Sequence, residues 1–348
     1  MYGRRRSAFL ELLLSLLSLV YRGAIFLRDA AYRLGLFRSR RLPVKVISVG
    51  NITLGGTGKS PAALNIASLF LSRGRRPLVL SRGYGRRDER TIEVVSDGSS
   101  GTILGPERAG DEPAMMAARL PRVPVVVGSD RYQAGRTAID SFHPDVIVLD
   151  DGYQHRRLLR DLNIVLVDAA DPFGNSKLFP AGILREPLDA LRRADIVLIT
   201  RVNSASSLDQ LKRTIGRHTG APIMTARTVP ADLVDIRTGK TRTPDRLRGS
   251  RVFAFAGIAR PEAFFSLLRS LGAEVMAVRE YPDHYRYTRS DLADLVAAAA
   301  DGHAQMIMTT EKDAVRLRDL LPEGVWALRV ELEVLEREAW ETALLHIL

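Results

Sequence analysis

The 348-residue sequence contains no cysteine. That excludes structural disulfides, thiolate metal sites and a cysteine nucleophile, and it fits a reducing compartment. Aromatic residues are scarce, at 6%. The positive charge is therefore not interleaved with stacking side chains, and nucleic-acid binding is the weakest reading of it. There is no internal repeat and no low-complexity segment. No small-residue cleavage site stands out near the N-terminus, so a secretory signal is not expected. The uncharged run Leu12–Tyr21 has ten residues, about half of what a transmembrane helix needs.

What is present has ordinary globular proportions, with 46% hydrophobic and 26% charged residues. The length suits two domains. The net charge of +11 is unevenly spread. The first 41 residues hold nine arginines, at 4, 5, 6, 22, 28, 33, 38, 40 and 41, against Glu11 and Asp29. These arginines surround the leucine-rich stretch "SAFLELLLSLLSLVYRGAIFLRDAAYRLGLF". An apolar helix with basic flanks is expected to lie in the interface of an anionic membrane. The plainer alternative is a leucine-rich packing helix.

Further along, short apolar runs without alternation predict strands covered on both faces: 42–51, 76–85, 123–130, 145–152, 162–168 and 194–201. Helix-compatible segments separate several of them, notably 60–74 and one beginning at Asp111, a residue type favoured at N-caps. This is the pattern of a parallel α/β sheet. A turn-rich stretch over 221–250 reads as a linker with strands. A smaller α/β unit follows over 251–334, with "VWALRVELEV" (325–334) alternating like a strand that can return to the linker. The expected division is an N-terminal helical segment 1–40, a nucleotide-binding domain 41–220, a linker 221–250, a second domain 251–334 and a C-terminal helix 335–348.

The strongest chemical signal is "GNITLGGTGKSP". It follows a strand and opens a helix, as a phosphate-binding loop must, and it ends in Gly-Lys-Ser. Thr53, Leu54, Gly55, Gly56, Thr57, Gly58, Lys59 and Ser60 are the expected nucleotide contacts. Backbone N–H groups would surround phosphate oxygens at the helix N-terminus. Lys59 would reach the β- and γ-phosphates, and Ser60 would ligate magnesium. The spacing departs from the usual loop, because Thr53 stands where the first glycine belongs. Such variant loops resemble those of MinD and ParA switch ATPases, but the lysine those proteins carry before the Gly-Gly pair is Leu54 here. That counts against a membrane-cycling switch ATPase, the alternative function. A soluble kinase or GTPase would leave the N-terminal helix without a task. "DVIVLDDGYQH" sets Asp150 and Asp151 at a strand end, where a magnesium carboxylate is expected, with His155 just beyond.

Eight segments then occur in order: "VGNITLGGTGKSP", "LSRGYGRR", "GDEPAMMA", "LDDGYQHRRLLRDLNIVLVD", "PAGILREP", "FAGIARPEAFF", "YPDHYRYT" and "TTEKDAVRL". Together they resemble the tetraacyldisaccharide 4'-kinase family over about residues 8–334. The resemblance implies ATP- and Mg²⁺-dependent phosphorylation of the 4'-hydroxyl of a tetraacyl glucosamine disaccharide 1-phosphate. It implies a peripheral enzyme at the cytoplasmic face of the inner membrane of a Gram-negative bacterium, with a lipid substrate, an anionic membrane surface and no obligate protein partner. It implies a P-loop α/β/α core and a smaller α/β/α domain joined by a β-ribbon, with the site in the cleft between them. Asp111 and His284 match the family's acid–base pair. Glu112, Asp150 and Asp151 match its magnesium-side acids. Arg82, Arg131 and Arg185 match family arginines near the phosphates or substrate, with Arg185 expected to be catalytic and Arg82 and Arg131 to contact the substrate. Asn51 and His155 are the further expected substrate contacts. On this reading Asp111 and His284 sit on different domains, and closure brings them together and excludes water. Tyr84 and Tyr153 are expected to pack.

Overall fold

The computed structural model describes residues 8–99, 101, 104–204, 207–320 and 323–348. Arg4, Arg5 and Arg6 of the basic block lie outside them. The chain forms two compact units. The first comprises residues 1–81, 130–227 and 334–348, and the second 82–129 and 228–333.

In the first unit, strands form where the apolar runs are unbroken. β1 (Lys45–Asn51), β2 (Pro77–Ser81), β5 (Val146–Asp150), β6 (Leu162–Asp168), β7 (Ile196–Thr200) and the start of β8 (Ile223–Asp235) make a parallel sheet in the order β2-β5-β1-β6-β7-β8. α2 (Lys59–Ser72) covers β1, β2 and β5, and α5 (Arg131–Phe142) lies on β2. Across the sheet, α6 (Leu208–Gly216) contributes Leu211 and Ile215 to a core with Val165, Val197 and Ile199. The C-terminal helix α10 (Arg337–Leu345) packs on α2, and its Trp340 Nε1 donates to Asn65.

α1 (Ala8–Arg33) joins this unit along one stripe. Ile25 is buried in the same core as Ile199, and Ser18, Tyr21 and Arg28 bond to Leu178, Arg185 and Glu186. Much of the rest of its surface is apolar and exposed: Phe9, Leu12, Leu16, Leu19, Val20, Phe26 and Leu27. The 26-residue helix is longer than its ten-residue uncharged run because Arg22, Arg28 and Asp29 do not interrupt it. Arg22 faces solvent, whereas Arg28 pairs with Asp29 and Glu186. By length and composition it could cross a membrane.

The second unit is built on the parallel strands β10 (Arg251–Ala256), β11 (Glu274–Glu280), β12 (Met306–Thr310) and β13 (Val325–Val334), in the order β11-β10-β12-β13. Side chains alternate across it, as the period of a strand demands. Val252, Ala254 and Ala256 meet Phe264, Phe265 and Leu268 of α7 (Pro261–Ser270). Phe253 and Phe255 meet Leu295 and Ala299 of α8 (Arg289–Asp301) on the other face. The later part of β8 lies beside β13 and turns back into the short β9 (Thr241–Arg242). The long strand foreseen at 325–334 thus has the partner anticipated in the linker.

Residues 82–129 depart from the sequence reading, which places them with the phosphate loop. They cluster with the C-terminal segment instead. The antiparallel pair β3 (Glu93–Asp97) and β4 (Pro124–Val127) supports α4 (Asp111–Arg119), which is preceded by the single turn α3 (Pro106–Ala109). α4 packs on α9 (Glu311–Leu317), and Arg119 bridges Glu311 and Glu331. Neighbours distant in sequence outweigh chain adjacency here.

Candidate active site

In the first unit the site begins at the end of β1. The chain passes through residues 52–58 and enters α2 at Lys59. Gly58, the N-cap, has φ 88°, a left-handed conformation that favours glycine. Side chains brace the loop from behind. Asn51 Nδ2 donates to Thr57 Oγ1 at 3.0 Å, Thr200 Oγ1 donates to the Thr57 carbonyl at 2.8 Å, and Arg201 holds the Gly56 carbonyl at 2.9 Å. The Leu54 N–H donates to the Ile183 carbonyl at 2.7 Å. Leu54 itself is 44% exposed. The helix N-terminus and loop amides suit an anion.

Asp151 stands at the centre of the charged groups. Lys59 Nζ lies 3.7 Å from its Oδ1, and Arg185 Nη1 donates to both carboxylate oxygens at 2.8 and 3.1 Å. Arg185 also reaches Asn51 Oδ1 at 3.3 Å. Burial pushes the Asp151 carboxyl up, but Lys59 and Arg185 outweigh it, and the net shift is downward. Asp150 is buried and accepts from Ser81 Oγ at 3.1 Å. Ser60, Asp150 and Asp151 supply hydroxyl and carboxylate oxygens, the donor set Mg²⁺ takes alongside phosphate and water. Among the described residues, no cluster of three or more acidic or histidine ligands gathers. A cation here would complete its shell from the nucleotide and solvent.

Arg131 opens α5 and is buried. Beside it, His155 is held neutral: burial first, then the Arg131 charge, pull it down to about 4. Tyr153 packs as expected, fully buried under the Arg193 guanidinium at 4.5 Å from its ring centre.

The second unit holds a different cluster. Asp111 Oδ2 faces His284 Nδ1 at 2.8 Å and accepts from Arg316 Nε at 2.8 Å. Arg316 Nη2 is 2.7 Å from the same oxygen. Burial raises the Asp111 carboxyl, but the bonds from His284 and Arg316 and the Arg316 charge bring it down to about 2. His284 has φ 62°, unusual for a side chain with Cβ, in the loop between β11 and α8. The two residues expected on separate domains therefore touch within one unit, because α4 belongs to the second. Asp111 is the first residue of α4 rather than its cap, which is Gly110. Its carboxylate is thereby spent on His284 and Arg316, not on the helix's own N–H groups.

Glu112, expected on the magnesium side, lies in the second unit with its carboxylate 3.7 Å from Lys312 Nζ. Arg82 pairs with Glu89 at 3.1 Å, also in the second unit. Tyr84, expected to pack, is 67% exposed, with its ring edge-on to His284 at 6.2 Å. Arg316, Asp313, Tyr287 and Lys312 carry no assignment in the sequence reading. All four lie inside quoted motifs, "YPDHYRYT" and "TTEKDAVRL", whose polar residues are dense for strand–helix junctions.

Comparison with known proteins agrees over the whole chain. The family model described as Tetraacyldisaccharide-1-P 4'-kinase matches residues 10–348. A tetraacyldisaccharide 4'-kinase of Syntrophus aciditrophicus is 44% identical, covering 99% of this chain and 94% of its own. One from Geobacter metallireducens is 43% identical, covering 97% and 98%. The crystal structure of LpxK from Aquifex aeolicus in complex with ATP superposes with a TM-score of 0.80 at 33% identity, over 97% of this chain and 99% of that one.

Proposed function

Because the chain belongs to the tetraacyldisaccharide-1-phosphate 4'-kinase family, we propose that its two units divide the chemistry between nucleotide and acceptor. The enzyme transfers the γ-phosphoryl group of ATP to the 4'-hydroxyl of a tetraacyl glucosamine disaccharide 1-phosphate, a step of lipid A biosynthesis. In the reaction the 4'-oxygen bonds to the γ-phosphorus, the bond from that phosphorus to the β–γ bridging oxygen breaks, and ADP leaves. Positioning and charge neutralisation supply most of the catalysis in such transfers. Lys59 and Arg185 neutralise charge on the transferring group, and the loop amides hold the phosphates. Mg²⁺, when bound through Ser60, Asp150 and Asp151, offsets the charge of the β- and γ-phosphates.

The proton of the 4'-hydroxyl goes to the Asp111–His284 pair. The observation that carries this reading is the 2.8 Å contact between Asp111 Oδ2 and His284 Nδ1. That contact fixes the histidine ring and leaves Asp111 Oδ1 for the acceptor. Asn51, Arg82, Arg131 and His155 serve the substrates. In an assay with labelled ATP and the lipid acceptor, Asp111→Asn should bind ATP normally yet barely phosphorylate lipid. Full turnover in that variant would move the base elsewhere, with His155 and Asp151 next in line.

α1 is the membrane element of this reading. Its exposed apolar face and flanking arginines support a monotopic seat on the cytoplasmic leaflet, where ATP is available and anionic lipid attracts arginine. Sedimentation with anionic liposomes tests it, and protein that stays in the supernatant would sink it.

A further inference from the structure

Four of the quoted motifs converge on one buried side chain. Arg316, on α9, has a side chain only 5% exposed and lies between two carboxylates. On one side its Nε and Nη2 grip Asp111 Oδ2 at 2.8 and 2.7 Å. On the other its Nη1 donates to Asp313 Oδ1 at 3.0 Å and to the Gly257 carbonyl at 2.9 Å. Asp313 is fully buried and fully engaged. It also accepts from the Gly257 N–H at 3.1 Å, Tyr287 Oη at 2.9 Å and Thr310 Oγ1 at 2.6 Å. Gly257 leaves room for this arrangement, and any side chain there would make its neighbours shift by a few tenths of an ångström. A Cβ there would stand 3.0 Å from both Asp313 Oδ1 and the Tyr287 hydroxyl.

Resting on the reading of Asp111 and His284 as the acid–base pair, we propose that Arg316 is the positioning residue of that pair. Anchored on Asp313, it fixes the Asp111 carboxylate so that Oδ1 is the oxygen presented to the acceptor hydroxyl. The geometry carries the assignment. Both groups that hold Asp111, His284 and Arg316, use Oδ2, and among the described residues Oδ1 takes no protein partner. A planar guanidinium can bridge two carboxylates and a carbonyl at once, which a lysine ammonium on a flexible stem does not reproduce. The Asp313 anchor, itself held by three further donors, keeps the guanidinium from following Asp111 if that side chain turns. Misplacing a reacting group by about 1 Å costs on the order of 10²-fold in rate.

The test uses the full chain in detergent–lipid micelles, with kcat and the KM values for ATP and lipid measured separately. Arg316→Met keeps the bulk and removes every donor. It should lower kcat about 10²-fold with both KM values within about threefold. Arg316→Lys should recover only part of the loss. Tyr287→Phe, which loosens the anchor and leaves Arg316 in place, should lower kcat several-fold without loss of thermal stability. If Arg316→Met fails to fold, Arg316→Lys and Tyr287→Phe decide the matter alone. Asp111→Asn is measured beside them. A loss in Asp111→Asn with wild-type kcat in Arg316→Met, or in Arg316→Lys and Tyr287→Phe together, overturns the role of Arg316 and leaves the pair standing. Unchanged kcat in Asp111→Asn removes the pair itself. If Arg316→Met still lowers kcat on top of Asp111→Asn by its full single-variant factor, Arg316 acts on something other than Asp111, and the inference falls.

Discussion

The phosphate loop of the first unit is a single stretch of chain. Thr53 to Ser60 run consecutively from just after β1 into the first turn of α2, and most of what the loop can offer a phosphate is backbone N–H. The cluster of the second unit, proposed above as the acid–base site, is the reverse. It draws Asp111, Gly257, His284, Tyr287, Asp313 and Arg316 from segments up to 205 residues apart, and almost everything it offers is side chain. A site made from backbone survives many substitutions as long as its path is kept. A site made from side chains is sensitive to each group in it, and the losses of members that act as a unit do not add.

Four experiments can break or sharpen that contrast. The largest effect is expected in the second unit. Asp111→Ala and His284→Ala should each lose about 10²–10⁴-fold in kcat, the usual worth of a positioned base. The double variant should lose little more than the worse single. Strictly multiplicative losses would mean the two residues act independently. In the first unit Lys59→Ala should lower kcat by about 10²–10³-fold, the scale of one deleted charge-stabilising donor, with ATP affinity falling less. Thr57→Ser, which keeps the backbone path and the hydroxyl, should be nearly silent. A severe loss there would show that the loop depends on its side chains as the other cluster does.

The third concerns stability. The folded-state value of His155 lies below its unfolded one, at about 4 against 6.5. Between those pH values the unfolded chain binds a proton that the folded one refuses, so stability falls as pH drops from 6.5 towards 4. The penalty is absent above that window and complete below it. His155→Gln should remove up to about 2 kcal/mol of this pH dependence, read by denaturant melts at about pH 7.5 and about pH 4.5. Parallel curves for variant and wild type would contradict a buried neutral histidine. The smallest effect is at α1. Placing aspartate at Leu16 and Leu19 together should raise the apparent KM for micellar lipid roughly tenfold, from lost apolar contact, with KM for ATP unchanged. Equal shifts in both would show a damaged fold rather than a weakened surface contact.

The same contrast decides what could be read from the sequence. The phosphate loop was legible because glycines, lysine and serine at fixed spacing leave few other structures open. The runs 162–168 and 325–334 are legible as strands because a continuous apolar run dominates the first and alternation the second. Nothing local in residues 82–129 says that they cluster with the C-terminal segment, where Arg119 meets Glu311 and Glu331. Asp111 and His284 came only through the family resemblance. Asp111 read locally as a cap, and His284 as one loop histidine among six in the chain. Arg316 was invisible for a further reason. An arginine on a short helix is ordinarily solvated, and only the packing of α4 on α9 puts it beside Asp111.

The contacts of α1 have a mechanical meaning. A leucine-rich N-terminal helix on a free linker would be a leash, letting the catalytic unit drift at any height above a bilayer. Here the helix is bolted on: Ser18 to the Leu178 carbonyl, Tyr21 to the carbonyl of Arg185, and Arg28 to Glu186, which is 1% exposed. The next backbone bonds run straight to the loop that cradles phosphate, from Arg185 N–H to the Ile52 carbonyl and from Leu54 N–H to the Ile183 carbonyl. The oily surface and the nucleotide cradle are thus two ends of one bracket. If α1 takes the membrane seat proposed for it, its depth in lipid would set the altitude and tilt at which ATP is offered, and the kinase would need no search along the membrane normal.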